Sequence, residues 1–331
     1  MTSALGGSEM SRLGRSLHLL VTEARFEAEG VVSLTLADPN GGELPEWTPG
    51  AHLELVLPSG LHRQYSMCGF PSNRQHFRIA VLREAAGRGG SVEIHDTGLV
   101  GRTLTVHGPR NHFELQPARR YLFIAGGIGI TPILSMAREL ALRADWSLHY
   151  GGRTARSMAF VHDLRSLAGD RVHVIPQDTD GLLPIDAIVA AADAETAIYC
   201  CGPGPLLDAV QDAHKRLAPD SPLHFERFAA STGQSVAAPR SDDRTVEVVL
   251  NRTGKTLEVG SETSLLDAIR EVVPAVSFSC TEGYCGSCEV AVLEGEPDHR
   301  DEILTQDERV AGKTMFPCVS RALSPRLVLD I

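Results

Sequence analysis

Long apolar runs and an excess of positive charge are both missing from this sequence. No stretch approaches the roughly 20 apolar residues of a membrane-spanning helix, which argues against a membrane protein. The first twenty residues lack a basic start followed by a long apolar run, so we expect no secretory signal and a cytoplasmic location. Lys and Arg number 31 against 42 Asp and Glu, and the formal net charge is −11. This balance argues against nucleic-acid binding, which depends on a basic surface.

Cysteine is the most informative residue that is present. There are seven, and a reducing compartment makes a disulfide framework improbable. Cys280, Cys285 and Cys288 are separated by four and then two residues, and Cys318 follows after a gap of 29 residues. This is the plant-type spacing of a [2Fe–2S] cluster, in which two irons each need two thiolates. A zinc site is the alternative, although zinc motifs more often use paired CxxC units.

Glycines within the cysteine segment support the cluster interpretation. Gly283 and Gly286 can adopt positive φ and bring the backbone close to a cluster, where amides can donate to its sulfurs. Cys68, Cys200 and Cys201 have no neighbouring cysteine motif and are typical of small buried side chains.

The pattern along the chain predicts three domains. Short β-rich runs separated by Gly, Pro, Asn and Asp predict an antiparallel barrel or sandwich, and the alternating strands and helices that follow predict a doubly wound parallel sheet. A hairpin, a helix capped by Thr263 or Ser264 and a final strand surround the cysteine loop. The predicted segments are a frayed terminus at 1–15, the barrel at 16–117, the parallel sheet at 118–228, a linker at 229–244 and the cysteine domain at 245–331.

Two motifs in the predicted barrel suit a phosphorylated aromatic cofactor. The motif Arg63-Gln64-Tyr65-Ser66 lies on a strand, so that Arg63 and Tyr65 share one face. A phosphate favours a forked guanidinium, and a planar ring favours an aromatic wall. Residues 87–91, which include Gly89, Gly90 and Ser91, predict a flexible loop entering a helix with Ser91 at its cap, where backbone amides face an anion. Each motif alone is also compatible with an ordinary strand or turn.

Two further motifs suit a dinucleotide. Gly126, Gly127, Gly129, Thr131 and Pro132 belong to a glycine-rich turn between a buried strand and a helix, where the backbone can approach a pyrophosphate. Cys201-Gly202-Pro203 ends another strand, and a core cysteine is the alternative for Cys201. Arg153, Thr154 and Arg156 follow the second strand of this sheet without an acidic residue for a ribose hydroxyl, and the arginines could accept a 2′-phosphate.

With CVSRA and HRDEILTQDER around the cysteines, the chain resembles the phthalate dioxygenase reductase-type proteins, which include the vanillate demethylase reductases and feed Rieske-type oxygenases. The resemblance covers essentially the whole chain, and Pro132 replaces the third glycine of the usual dinucleotide fingerprint as in the ferredoxin-reductase superfamily. It implies a C-terminal plant-type ferredoxin domain with a β-grasp fold. It also implies that Arg63 binds the flavin phosphate, Tyr65 packs against the flavin and Ser66 lies near the isoalloxazine.

The same resemblance implies roles for the remaining motifs. The loop of Gly89, Gly90 and Ser91 would hold an FMN phosphate, so FMN is favoured over FAD. The Cys201 turn would lie near nicotinamide and flavin, and Phe228 would cover the flavin face, with core packing as its alternative. NADH is favoured over NADPH, because the family generally uses NADH.

These parts predict an electron-transfer reductase. Nicotinamide delivers two electrons as hydride and a cluster accepts one, so a flavin between them must do both. The predicted route is NADH, FMN, the [2Fe–2S] cluster and then a Rieske-type oxygenase component. From Asp243 onward there are 16 acidic and 9 basic residues, which could steer docking to a basic partner. The alternatives are another acceptor, such as a haem monooxygenase or a quinone, and a cluster-holding redox sensor.

Overall fold

The computed structural model describes residues 16–141, 143–228, 240, 242–274, 276, 278, 280–284 and 286–331. Contacts along the chain divide it into two compact units, one ending at Glu226 and the other beginning at Arg227. Most of the predicted linker, at 229–239 and 241, and the predicted frayed terminus at 1–15 lie outside the described residues. Within the described residues, we find no helix with the length and hydropathy of a membrane-spanning segment.

The first unit begins with six antiparallel strands. They pair in the order β4-β3-β6-β1-β2-β5, and a bridge between Met67 and Ile79 joins the two end strands. The sheet therefore closes into the predicted barrel. A short helix, α1 at Gly90–Asp96, follows the fifth strand. The strands are β1 Ser16–Ala28, β2 Val31–Ala37, β3 His52–Val56, β4 His62–Ser66, β5 His76–Leu82 and β6 Thr103–Arg110.

Alternation along the strands fills this barrel. Leu53 and Leu55 of β3 are buried in the barrel core with Val106 of β6, because every second side chain points to the same face. Glu54, between the two leucines, points away from that core. Each of these buried apolar side chains stabilises the folded state by roughly 1.5–3 kcal/mol relative to an exposed one.

A five-stranded parallel sheet completes the first unit. Its order is β11-β10-β7-β8-β9. From β7 the chain adds β8 and β9 on one side and then crosses back to add β10 and β11 on the other side, so the strand order reverses between β7 and β10. Buried residues fill β10 and nearly all of β7, as expected of strands covered by helices on both faces. The strands are β7 Arg120–Gly126, β8 Asp145–Gly152, β9 Val172–Pro176, β10 Thr196–Cys201 and β11 Leu223–Glu226. The helices are α2 Ile130–Leu140, α3 Val161–Ala168, α4 Gln177–Asp180, α5 Ile185–Val189 and α6 Gly204–Leu217.

The second unit is a small mixed sheet with two helices. Its main sheet has the order β13-β12-β18-β14-β16, with β12 parallel to β18, and β15 pairs with β17. This arrangement confirms the predicted β-grasp fold. The strands are β12 Val246–Leu250, β13 Lys255–Val259, β14 Val290–Glu294, β15 Pro297–Asp298, β16 Thr314–Met315, β17 Arg321–Ala322 and β18 Arg326–Leu329. The helices are α7 Leu265–Val272 and α8 Gln306–Ala311.

Side-chain caps and a buried ion cluster fix this second unit. Ser264, one of the two predicted caps, accepts from the amide of Asp267 at 3.0 Å and begins α7. Arg300 is buried between Asp243 and Asp298, donating to their carboxylates at 3.0 and 2.7 Å. Asp243, which the sequence analysis placed in the linker, is thus bound to the second unit. Losing this contact would leave the buried charge of Arg300 less well paired, which would destabilise the fold.

Candidate functional site

The two barrel motifs lie against each other. Arg63 donates from Nη1 to the carbonyl of His62 at 2.7 Å and from Nη2 to the carbonyl of Arg88 at 2.6 Å. A Cβ at Gly90 would lie 2.6 Å from Cγ of Arg63, so only glycine lets the loop approach this side chain. The guanidinium and the glycine loop therefore form one cradle suited to an anion.

The predicted cap at Ser91 is wrong by two residues. Helix α1 begins at Gly90, and its cap residue is Gly89 with φ at 83°, a conformation that glycine adopts without strain. The Ser91 hydroxyl instead accepts from the amide of Glu84 at 3.0 Å and ties the loop to the end of β5. The sequence alone does not distinguish these two roles, because a serine caps a helix and binds a nearby backbone amide with the same hydroxyl.

The end of the barrel motif reaches the parallel sheet. The buried Ser66 hydroxyl donates to Oε2 of Glu226 at 3.4 Å, and Glu226 on β11 lies opposite Cys201 on β10. Burial raises the pKa of Glu226 to about 8, and the Ser66 hydrogen bond opposes that rise. Three elements that are distant in sequence thus meet at one point, and Glu226, to which the sequence analysis assigned no role, lies there.

Tyr65 and Gln64 complete this strand. Burial raises the pKa of the Tyr65 phenol, with Arg63 acting in the opposite direction, so the ring stays neutral at physiological pH. Gln64 lies on the other strand face, opposite Glu54 of β3. The alternation expected of Arg63 and Tyr65 against Gln64 and Ser66 follows from this strand geometry.

The two glycine turns of the parallel sheet pack together. A Cβ at Gly126 would lie 2.8 Å from Cδ of Pro203, and a Cβ at Gly202 would lie 3.0 Å from Cα of Gly126. A Cβ at Gly129 would lie only 2.3 Å from the carbonyl oxygen of Cys201. The turns meet where the strand order reverses, the usual ligand crevice of a doubly wound sheet.

Other residues of the first turn have structural partners. Gly127 has φ at 54° and open space around it, and its carbonyl accepts from the Tyr150 hydroxyl at 3.2 Å. Thr131 is buried and donates to the carbonyl of Ile128 at 3.0 Å. Pro132 lies in the first turn of α2, where its missing amide hydrogen removes no helical bond.

Cys201 is a buried thiol. Burial raises its pKa well above the ordinary value, and the neighbouring Glu226 carboxyl and Cys200 raise it further. A neutral, fully buried thiol is a poor nucleophile. The position of Cys201 therefore suits packing beside a ligand better than covalent chemistry.

Three residues follow the second strand of the sheet. Arg153 is exposed, and its carbonyl accepts from the amide of Asp178 at 3.2 Å. Thr154 and Ser157 form a reciprocal cap for a short helical turn. Arg156 is exposed as well, and its backbone carbonyl accepts a hydrogen bond from the backbone amide of Glu29 at 2.9 Å. The exposed guanidinium of Arg153 is thus presented beyond the end of β8.

Phe228 belongs to the second unit and is 37% exposed. That exposure argues against the core-packing alternative. Its role over a flavin stays a prediction.

The cysteine segment gathers sulfur atoms in a buried place. Cys280, Cys288 and Cys318 are all buried, and the hydrogen bonds that the Cys318 thiol makes to Cys280 and Cys288, together with burial, raise its pKa. Cys285 lies outside the described residues. The three described sulfurs therefore converge, as a metal or cluster site requires.

The backbone of this segment turns through left-handed conformations. Gly283 and Gly286 have φ at 77° and 75°, and Thr281, a β-branched residue, has φ at 60°. The amide of Glu282 donates to Sγ of Cys280 at 3.3 Å. A loop that turns its amides toward sulfur suits a cluster, and strain of this kind is often found at functional sites.

Comparisons with known proteins agree with these features. Residues 248–323 match the 2Fe-2S iron-sulfur cluster binding domain, and residues 123–212 match the oxidoreductase NAD-binding domain. The chain is 40% identical over 324 residues to vanillate O-demethylase oxidoreductase of Pseudomonas sp. (strain HR199 / DSM 7063), which covers 95% of this chain and 100% of that relative. A solved phthalate dioxygenase reductase, described as a modular structure for electron transfer from pyridine nucleotides to [2Fe-2S], is 36% identical with a TM-score of 0.69. That match covers 96% of this chain and 98% of the other.

The chain belongs to the phthalate dioxygenase reductase family.

Members of this reductase family also occur within longer chains. An intact type IV self-sufficient cytochrome P450 monooxygenase is 40% identical with a TM-score of 0.87, covering 96% of this chain and 41% of that chain. This chain therefore corresponds to less than half of that chain's length. Family membership makes the protein an oxidoreductase with an NAD-binding domain and a 2Fe-2S domain.

Proposed function

We propose that the protein is an NADH-dependent reductase that passes electrons through FMN to a [2Fe–2S] cluster and on to a Rieske-type oxygenase component. One observation carries this proposal: the Ser66 hydroxyl lies 3.4 Å from the carboxyl group of Glu226, which is opposite Cys201. The contact joins the barrel motif to the crevice edge of the parallel sheet. A flavin held by one and a nicotinamide held by the other would meet there.

The barrel residues fit the flavin. Arg63, with the loop of Gly89, Gly90 and Ser91, would hold the phosphate, since its side chain already packs on Gly90. Tyr65 would pack on the ring system and Ser66 would lie at its reactive edge, with Gln64 on the same strand. A single terminal phosphate matches this one cradle, which supports FMN. When bound, the flavin supplies the conversion between two-electron and one-electron transfer.

The residues of the parallel sheet fit a dinucleotide. Gly127 has open space where a Cβ would be, so a pyrophosphate could approach the backbone there, while Gly126 and Gly129 let the two turns pack together. Thr131 and Pro132 lie in the first turn of the helix behind them. Gly202 and Pro203 form the facing wall beside Cys201, and Arg153 would reach the adenosine end.

The second unit fits the cluster. Cys280, Cys285, Cys288 and Cys318 would ligate the two irons, and binding would release the thiol protons. The amide of Glu282, directed at the sulfur of Cys280, would stabilise negative charge there.

Anaerobic stopped-flow mixing of the holoprotein with NADH tests the core of this proposal. We expect flavin absorbance to bleach first and cluster absorbance second, with NADH reacting faster than NADPH. A redox sensor would hold the cluster without responding to NADH, and that result would end the proposal. A clear preference for NADPH would overturn the coenzyme assignment alone.

The partner assignment rests on the relatives and on charge. The chain from Asp243 onward has an excess of seven acidic residues, 16 against 9, which supports docking to a basic surface. The rate of reduction of a Rieske-type oxygenase should then fall as salt rises. An unchanged rate would refute electrostatic docking.

A haem monooxygenase is the second candidate acceptor. The match to a self-sufficient cytochrome P450 monooxygenase at a TM-score of 0.87 favours it, since a region similar to this chain makes up 41% of that monooxygenase. Measuring reduction of a Rieske-type oxygenase and of a separate P450 by the same preparation distinguishes the two acceptors. Faster transfer to the P450 would reverse our order of preference.

A further inference from the structure

Three side chains of metal-ligating types meet on the outside of the barrel, on the strand face opposite to that of Arg63 and Tyr65 and next to Gln64. One ligand atom from each of Glu54, His62 and His107 lies within 4.8 Å of the others. Nδ1 of His62 is 3.0 Å from Oε1 of Glu54. The imidazole rings of His62 and His107 are stacked, with centroids 6.1 Å apart and planes inclined by 9°.

The strand register explains why these residues meet. The three strands β4, β3 and β6 are neighbours, and Glu54 lies on the middle one, directly opposite His107. His62 is opposite Val56, two residues along β3 from Glu54 and so on the same face. All three side chains therefore extend from paired strands, which hold a site more rigidly than loops do.

The chemistry of the set matches a zinc-class cation. Two imidazoles and one carboxylate are the three protein ligands of many zinc sites, with water in the fourth position. Bonds of about 2.0–2.2 Å place tetrahedral ligand atoms roughly 3.4 Å apart, so side-chain rotation alone can close this set. The Glu54 side chain is only 1% exposed while that of His62 is 30% exposed, which leaves a route for the ion past His62.

A simple ion pair between Glu54 and His62 does not account for the third residue. His107 adds a second imidazole to the same place, although the pair needs only one. Arg110, further along β6 and opposite His52, places a positive charge near the set and opposes a cation. We therefore expect an affinity below that of structural zinc sites, at which four ligands close the coordination shell.

We propose that Glu54, His62 and His107 bind a divalent cation of the zinc class, with solvent completing the coordination. The site is separate from the cysteine cluster, and its ligands come from the barrel alone.

Calorimetric titration of the holoprotein with zinc chloride tests this site, after weakly bound metal has been removed by a mild chelator. We expect one zinc per chain and a zinc-edge absorption spectrum showing N and O ligands near 2.0 Å, without sulfur near 2.3 Å. A sulfur shell would assign the zinc to the cysteines and overturn the proposal. Binding of no zinc would do the same.

Substitutions decide which residues are ligands. His107→Asn should weaken zinc binding at least about tenfold, because even the loss of an outer-shell partner weakens metal binding by roughly 10–100-fold. His76→Asn, at an exposed histidine on β5 of the same barrel, is the matched control and should bind as the parent does. His62→Asn provides a second variant if His107→Asn fails to fold. Unchanged affinity in a folded variant would refute the assignment.

Discussion

Replacing Gly129 by alanine tests how closely the two turns of the nucleotide crevice are packed. Gly129 has φ at −60°, a conformation that alanine adopts without backbone strain. Its Cβ would nevertheless lie 2.3 Å from the carbonyl oxygen and 2.5 Å from the carbonyl carbon of Cys201. Because the obstacle is backbone, no side-chain rotation relieves it.

The size of the effect follows from what must move. Cys201 is paired on one side with Ala125 of β7 and on the other with Glu226 of β11, so β10 is held from both sides. Overpacking costs typically about 1–3 kcal/mol, and a pinned strand places Gly129→Ala near the upper end. At roughly 2–4 °C per kcal/mol for a unit of this size, Tm should fall by about 6–12 °C.

Two glycine variants separate sterics from backbone strain. Gly98→Ala adds a Cβ with nothing within 4 Å and should leave Tm unchanged. Gly127→Ala also meets open space but has φ at 54°, so it should lose only about 1–2 kcal/mol from the left-handed conformation. Thermal unfolding by circular dichroism gives Tm, and single-turnover flavin reduction by NADH should slow most in Gly129→Ala. If Gly129→Ala melts and reacts like Gly98→Ala, the close packing of the turns is wrong.

Three further outcomes are expected. Burial holds a proton on Glu226 between its ordinary pKa of 4.5 and about 8, so the parent loses stability as pH rises through that window. As pH rises through that window, the free energy of unfolding of Glu226→Gln, measured with urea, should increase relative to that of the parent by on the order of 1–3 kcal/mol. A difference between the two proteins that does not change with pH would contradict the raised pKa. Arg63→Lys should weaken flavin binding by roughly tenfold or more in fluorescence titration, whereas Arg83→Lys, at a surface pair with Asp96, should not. Cys318→Ser should lose iron and acid-labile sulfide while Cys68→Ala keeps them, and equal contents would refute the ligand assignment.

The elements that carry a local pattern were predictable from the sequence. The glycine turn after β7 was identifiable because a buried strand, glycines and a helix follow one another within twenty residues. The β-rich runs between turn residues and the alternation of strands and helices are local patterns too, and the structure contains the barrel and the parallel sheet that they predicted. Strand β11 was missed, since Leu223–Glu226 is too short for a period to show.

The contacts that complete the site had no local signal. Ser66 and Glu226 are 160 residues apart in the chain, and only the packing of the barrel on the parallel sheet brings them together. Glu54, His62 and His107 follow no metal-binding spacing, and strand pairing alone makes them neighbours. The hydroxyl of Ser91 has several possible local partners, so its use depends on how the preceding strand ends.

The strand order of the parallel sheet places Arg153, the residue proposed for choosing between NADH and NADPH, apart from the turns proposed to hold the nicotinamide end. Arg153 follows β8, one strand away from the crevice between β7 and β10 where the glycine turns meet. In the proposed arrangement, discrimination between the two coenzymes therefore resides at a place that takes no part in hydride alignment. A lineage or a protein engineer could exchange one coenzyme for the other there without rebuilding the reacting end.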